Sequence, residues 1–418
     1  VGSEMCIRDS EMTIHVGETA TLDTYSGKKF NLITDYDNPG SISFESKNTA
    51  IADVTAVGDD GEITGNKIGI THIVVKKGNL TSVCIVHVID KDAQTAPMIS
   101  AGNSHVIALK SDGTVWTWGN NEYGQLGDGS VSCAYEPINV TALNGKDIVS
   151  VHAGEYHSIA LTRDGEVYTW GHNDYGQLGL GNASIVVSTP QKVESLPEIV
   201  SISAGKQHTM VLGADGYVYS FGDNSLGQLG APSKDTSKRS STPVVAQGLN
   251  KVISISIGAG GSATKAVRYD GTLWGWGENS NHQIDNTNNR YYAYPVQIDL
   301  GDEFNGHILR TYDGLYHVVA MLDNGRIISW GANSEGQLGQ GIAESGSLLY
   351  YAPDYVDVFD GTNNYAVDIS VGALHNIAIT ADGRVMSWGS ADLGRLGIGN
   401  VTVSYTHLRA HETCADLV

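Results

Sequence analysis

Five histidines that recur at one spacing are the first residues here with the means to do chemistry. His105, His157, His208, His317 and His375 each stand fourteen residues before the glycine of an aromatic-Gly pair, and Ala263 takes the place once. Imidazoles ligate metals and move protons near neutral pH. Both tasks require the side chains to converge, whereas residues at one repeat position are distributed one to each unit. A per-unit packing role also tolerates the loss at Ala263, which a shared metal site would not. Six Asp-Gly or Asn-Gly pairs, ending at Gly113, Gly165, Gly216, Gly271, Gly325 and Gly383, form a second row. Without a D-x-[DN]-x-[DN]-G loop and its distal Glu they read as hairpin turns rather than calcium ligands. G-x-S-x-G and the phosphate loop are both missing, and His152 and His172 have no carboxylate spacing suited to acid–base work. Cys6, Cys84, Cys133 and Cys414 contain no C-x-x-C pair. The expectation is a chain with no catalytic residue, no metal and no cofactor: a binding protein rather than an enzyme.

The elements that position these residues come from the same repeat. The aromatic-Gly pairs are Trp118-Gly119, Trp170-Gly171, Phe221-Gly222, Trp276-Gly277, Trp330-Gly331 and Trp388-Gly389, a mean of 54 residues apart. Five residues after each glycine a GQLG loop begins at Gly124, Gly176, Gly227 and Gly336, with GRLG at Gly394 and HQID at His282. In the second copy His157-Ser-Ile-Ala-Leu161, the turn Arg163-Asp-Gly165 and Val167-Tyr-Thr-Trp170 read as a hairpin. Ile148-Val-Ser-Val151 and the stretch after Pro190 supply flanking strands. Four short strands per unit, repeated, predict propeller blades, because a lone blade cannot bury both faces.

The pattern AG-x-x-H-x-x-A-L-x-x-D-G-x-V-x-x-W-G-x-N-x-x-G-Q-L-G resembles the regulator of chromosome condensation repeat from Pro97 to Asn400. The resemblance implies a seven-bladed propeller, of which six repeats are visible, so a truncated propeller is expected over residues 97–403. Residues 11–90 read as a separate small sandwich, with Val16-Gly-Glu-Thr19, Ile51-Ala-Asp-Val54, Gly61-Glu-Ile-Thr-Gly65 and Gly69-Ile-Thr-His-Ile73 as short strands. Those segments resemble the bacterial immunoglobulin-like domain, group 2, with Cys84 as a buried strand residue. Residues 91–96 form the linker. The expected fold class is therefore all-β: an immunoglobulin-like β-sandwich followed by a β-propeller of four-stranded blades. Val1 to Ser10 and Ser404 to Val418 share no pattern with what they flank and resemble translated sequencing-adaptor DNA. On that reading residues 1–10 and 404–418 are non-native, and the chain is cut at both ends.

Charge and composition narrow the partners. Lys and Arg number 25 against 46 Asp and Glu, a formal charge of −21, which argues against nucleic acid because phosphates require clustered cations. The 51 glycines fit many tight turns. No apolar run approaches the roughly 20 residues of a membrane span. If the shared positions are scaffold, binding falls to the loops where copies differ. Tyr123 and Tyr175 precede the second glycine of their loops; Arg290, Tyr291, Tyr292 and Tyr294 follow the degenerate HQID; Tyr350 and Tyr351 stand in the fifth unit. Tyrosine and arginine make strong binding anchors. The resemblances imply a monomeric bacterial surface or secreted protein whose propeller binds a protein or glycan. The alternatives are a guanine-nucleotide exchange factor for a small GTPase, or a secreted inhibitor similar to β-lactamase inhibitor protein II.

Overall fold

Each Asp-Gly or Asn-Gly turn joins two strands, and the strands pair in chain order. A computed structural model describes residues 11–22, 42–58, 60–77, 80–232, 238–258, 261–285, 287, 289–301, 304–340, 350–397 and 404–411. Among them the six repeats form six four-stranded sheets, the blades of a propeller, each ordered first to fourth strand. The second blade runs Ile148–Ala153, His157–Thr162, Val167–His172 and Val186–Lys192. Its middle pair is in register with His157 opposite Gly171 and Leu161 opposite Val167. Gly171 explains the glycine of the aromatic-Gly pair. It adopts φ +105°, and a Cβ there would lie 2.7 Å from the Tyr156 carbonyl oxygen. The preceding aromatic, Trp170, is fully buried against the adjoining blade.

Two compact units result. One comprises Ala93–Arg268 with Leu273–Asp299 and holds the strands of the first four blades. Consecutive blades in it share cores: Ile107, Leu109 and Val115 of the first pack with Val151, Ala160 and Trp170 of the second. Leu161, Val167 and Ile159 of the second pack with Ile199, Ile202 and Val211 of the third. The other unit comprises Val1–Asp92, Tyr269–Thr272 and Leu300–Val418.

In this second unit the front residues build two sheets. Glu11–His15 lies parallel to Leu80–Ile89, which pairs with Gly69–Lys77, which pairs with Ile42–Ser46. Thr19–Leu22, Asp60–Gly65 and Ala52–Val57 make the smaller sheet. Ile14, Leu22, Ile63, Ile73, Cys84 and Val86 fill the core between them. The alternate residues Val74, Val83 and Ile85 face the other way, into a core with Leu309, Met321, Phe359 and Trp388 of the fifth and sixth blades. The sheet is thus covered on both faces, which is why Ile73-Val-Val75 and Val83-Cys-Ile-Val86 are unbroken apolar runs instead of alternating ones. Polar contacts fasten the same face: His72 Nε2 donates to the Val367 carbonyl at 3.0 Å, and Asn48 Nδ2 to the Ala381 carbonyl at 2.6 Å.

Ser404–His411 supplies the last strand of the sixth sheet. Residues from 404 onward read as foreign to the repeat, yet this segment pairs with Val385–Gly389 as the fourth strand of the sixth blade, Ser387 opposite Arg409. An open strand edge offers unpaired N–H and C=O groups to any β-prone segment within reach, and Tyr405-Thr-His-Leu408 is such a segment. No helix among the described residues is long and apolar enough to cross a membrane.

The two-sided burial of the front sheet is testable. Ile85, 3% exposed, should not accept a charge: Ile85→Glu is expected to cost on the order of 3–5 kcal/mol. Val57→Glu, at a position 57% exposed, should stay within about 0.5 kcal/mol. Urea midpoints of the two variants make the comparison; equal midpoints would mean that the outer face of the sheet is open.

Candidate functional site

The repeated histidines tie neighbouring blades together. His105 Nε2 lies 3.0 Å from Ser158 Oγ, His157 Nε2 2.9 Å from Thr209 Oγ1, and His208 Nε2 3.3 Å from Thr264 Oγ1. Each hydroxyl donates in turn to the glutamine carbonyl of the preceding blade's GQLG loop: Ser158 to Gln125 at 2.9 Å, Thr209 to Gln177 at 2.8 Å, Thr264 to Gln228 at 3.2 Å. With its one proton committed, the hydroxyl can only accept from the ring, so Nε2 carries the hydrogen. Nδ1 is left bare and buried against a glycine; a Cβ at Gly154 would lie 2.2 Å from His157 Cε1. Between the fifth and sixth blades Asn376 does the work of the hydroxyl, accepting from His317 at 2.8 Å and donating to the Gln337 carbonyl at 2.8 Å. The same carbonyls accept indole N–H groups, from Trp170 at 2.9 Å, Trp276 at 2.9 Å and Trp388 at 3.1 Å. Phe221, in the third blade, has no N–H to give.

Burial disfavours the charged imidazole in every case. It lowers His157 and His208 to about 3, and His105 and His317 to about 4. These rings stay neutral near pH 7 and each spends its Nε2–H on a neighbouring blade, so they are structural. Ala263 stands in the fourth repeat, and the hydroxyl position of the fifth repeat is Val318. Both members of the polar pair are replaced by apolar residues.

The clamp also sets the loops beside it. The Gln125 side chain turns back to accept from the Tyr123 amide at 2.9 Å, and Gln177 accepts from the Tyr175 amide at 3.0 Å. Asn121 and Asn173 accept from Leu126 and Leu178 in the same loops, at 2.9 and 3.1 Å. The HQID loop keeps this geometry: Gln283 accepts from Asn281 at 3.0 Å, Asn279 from Ile284 at 2.9 Å, and His282 adopts the left-handed φ of 56° in place of glycine.

On the end of the first two blades where these loops lie, four rings gather. Tyr123 packs 4.4 Å from His172 and 5.3 Å from Tyr156, and Tyr175 lies 6.3 Å from His172. His172 is buried; Nδ1 accepts from Gln177 Nε2 at 3.0 Å, so Nε2 donates to Asp174 at 3.2 Å. The sequence offered no acid–base partner for His172, but the chain supplies one two residues on. Among the described residues no serine, threonine or cysteine side chain bonds to His172, and the pair holds the ring between tyrosines. Among the described residues no group of three or more His, Cys, Asp or Glu is arranged to hold a metal.

The match to known proteins now has a physical meaning. The RCC1-like domain family model matches residues 53–413. The chain belongs to the RCC1-like domain family. The ultraviolet-B receptor UVR8 of Arabidopsis thaliana is 34% identical over 319 residues, covering 74% of this chain and 69% of the receptor. The E3 ubiquitin-protein ligase HERC2 of Homo sapiens is 29% identical over 302 residues, 71% of this chain but 6% of the ligase. Among solved structures, yeast RCC1 (Prp20) bound to Kap60 has a TM-score of 0.65 at 24% identity, covering 76% of this chain and 75% of that one. Human WBSCR16 has a TM-score of 0.64 at 23% identity, covering 81% and 86%. At these identities the structural likeness is one of fold.

In this RCC1-like chain the remaining candidate residues belong to the fourth and fifth blades. Tyr291 and Tyr294, 51% and 47% exposed, sit on the fourth strand of the fourth blade, and Arg290 is exposed beside them. Tyr292 is turned inward, its hydroxyl bonded to Asp285, Thr287 and Asn289. Tyr350 and Tyr351 pair through their backbones with Ala332 and Gly331, and their side chains lie outside the described residues. Tyr156 and His172 are the cluster members that sequence reasoning left out. Both adjoin a repeat landmark, His157 and Gly171, whose register puts them at one end of the blade.

Because the folded-state pKa of each clamp histidine lies below its ordinary 6.5, its stabilising share is whole above pH 6.5 and drains as pH falls toward 3 or 4. The loss is about 1.4 kcal/mol per pH unit for each imidazole. His157→Ala is expected to cost about 1–3 kcal/mol at pH 7 and to reduce proton uptake on unfolding at pH 5 by about one. Urea titrations from pH 8 to 4 measure both; an unchanged slope would contradict the neutral clamp.

Proposed function

We propose that this RCC1-like chain is a protein-binding scaffold with no catalysis of its own, and that its partner docks on the loop end carrying Tyr123, Tyr156 and Tyr175. The observation that carries the reading is the division of labour within the repeat. Where the repeat keeps its histidine, hydroxyl, glutamine carbonyl and tryptophan, these groups bond to one another across neighbouring blades, while the half-buried tyrosines beside them vary between copies. Large aromatic surface on a rigid, clamped loop is what a binding anchor requires. That yeast Prp20p is described with binding properties to Gsp1p and histones supports a protein as ligand.

The front pair of sheets is proposed as an immunoglobulin-like module fixed to the fifth and sixth blades, and the setting as a bacterial surface or secreted one. Both rest on the resemblance of the front residues. Guanine-nucleotide exchange is the second reading, supported by fold likeness to yeast RCC1 alone.

Two measurements separate these. Cross-linked partners captured by the intact chain should be lost, by at least tenfold, from a Tyr123→Ala/Tyr175→Ala variant with an unchanged melting temperature. Partners kept equally by the variant would move the docking surface elsewhere. Release of labelled GDP from a panel of small GTPases should remain at its intrinsic rate; acceleration beyond tenfold would replace the scaffold reading with the exchange reading.

A further inference from the structure

Each tyrosine of the four-ring cluster follows an acid in sequence: Glu122-Tyr123, Glu155-Tyr156 and Asp174-Tyr175. The first and third pairs belong to the loops after the third strands of the first and second blades, and the middle pair to the turn after the first strand of the second blade. Chain topology brings these turns to one end, and the ring contacts of His172 with Tyr123, Tyr156 and Tyr175 bring the three pairs together. Elsewhere several aromatic rings are met by cations of the chain itself. Lys110 lies 5.5 Å from the Trp116 ring, Lys146 4.7 Å from Tyr168, Lys47 5.0 Å from Tyr365 and Arg326 3.3 Å from Tyr355. Among the described residues no lysine or arginine lies over Tyr123, Tyr156 or Tyr175.

We propose that this acid-tyrosine cluster receives a cationic side chain, arginine or lysine, of a protein partner. The inference rests on the scaffold reading and names the chemistry of the contact. A tyrosine face attracts a cation through its quadrupole, more strongly where water is displaced. Glu122 is exposed at the edge, and Glu155 is half-buried beside Tyr156. Burial raises Glu155 above the ordinary carboxylate range, and Lys206 and His172 offset only part of that cost, so an incoming cation would relieve it. Both imidazole nitrogens of His172 are engaged by Gln177 and Asp174, and Tyr156 Oη accepts from Asn103 at 2.9 Å. Besides the tyrosine hydroxyls, the cluster offers π surface and carboxylate oxygen, the complement of a guanidinium or ammonium group. The formal charge of −21 favours the approach of such a partner without selecting this site.

Isothermal titration of the intact chain with a peptide of alternating Arg and Gly tests the proposal. The same peptide with citrulline for arginine keeps the shape and removes the charge. The arginine peptide should bind at least tenfold more tightly than the citrulline one. Tyr156→Ala and Glu122→Lys should each weaken it by fivefold or more; Glu122 is exposed, so its replacement leaves folding intact. Asp112→Lys is an equal charge change at an exposed turn on the opposite end of the first blade, and should leave affinity within twofold. Equal binding of the citrulline peptide would overturn the proposal. So would equal weakening by Asp112→Lys and Glu122→Lys, which marks general electrostatic attraction, or preferential binding of a neutral oligosaccharide. If the captured natural partner depends on Tyr123 and Tyr175 while the arginine peptide fails to bind, the scaffold reading stands and the cationic contact falls.

Discussion

A buried glutamine carbonyl that must be satisfied from the next blade organises this protein. Gln125, Gln177, Gln228 and Gln337 each present that oxygen to a neighbour. An orphaned buried acceptor costs on the order of 1–3 kcal/mol, so the geometry of one blade dictates the position of its successor. A hydroxyl or amide answers it, an indole N–H in three cases joins it, and a neutral imidazole holds the hydroxyl in place. Removing the hydroxyl or amide leaves the imidazole N–H without its acceptor and the carbonyl short of a donor in a buried place. The histidine and the hydroxyl it holds are lost together: Ala263 and Val318 stand at the two positions where one histidine and one hydroxyl are both missing.

The clamp also assigns the loops their work. The same glutamine whose carbonyl is engaged uses its side chain to accept the amide of the residue before the loop glycine. Tyr123 and Tyr175 are therefore held by the machinery that joins the blades, and their rings are free to vary without loosening it. A rigid backbone with interchangeable side chains at its loop tips is a general solution for recognition. The front sheets obey a related economy. A sheet buried on both faces needs apolar residues at every position of its central strands, and Ile73–Val75 and Val83–Val86 supply them.

Much of the fold was legible because its signals are local and repeated. The aromatic-Gly pair, the Asp-Gly turn and the GQLG loop carry steric demands that glycine meets most readily, and six copies make the period plain. That the histidines do not converge was also legible, from the repetition itself. Their partners were not: Ser158 and Thr209 are ordinary strand residues, and their pairing with His105 and His157 joins positions more than fifty residues apart. The tyrosine cluster was half legible. Tyr123 and Tyr175 share a loop position that varies between copies, but Tyr156 belongs to a different turn, and His172 lacked an evident role until Asp174 and Gln177 were seen to fix both its nitrogens. The inward turn of Tyr292 depends on a loop whose path the sequence does not specify.

Periodicity and turn chemistry, which depend on neighbours a few residues away, were determined by the sequence alone. So were the four-stranded repeat and the strong negative charge. Tertiary structure alone decided which hydrogen bonds close between blades, that the front sheet is covered on both faces, and which tyrosines meet. Those outcomes depend on groups distant along the chain that become neighbours only once the sheets have packed. An apolar run or a lone tyrosine looks the same in either environment until then.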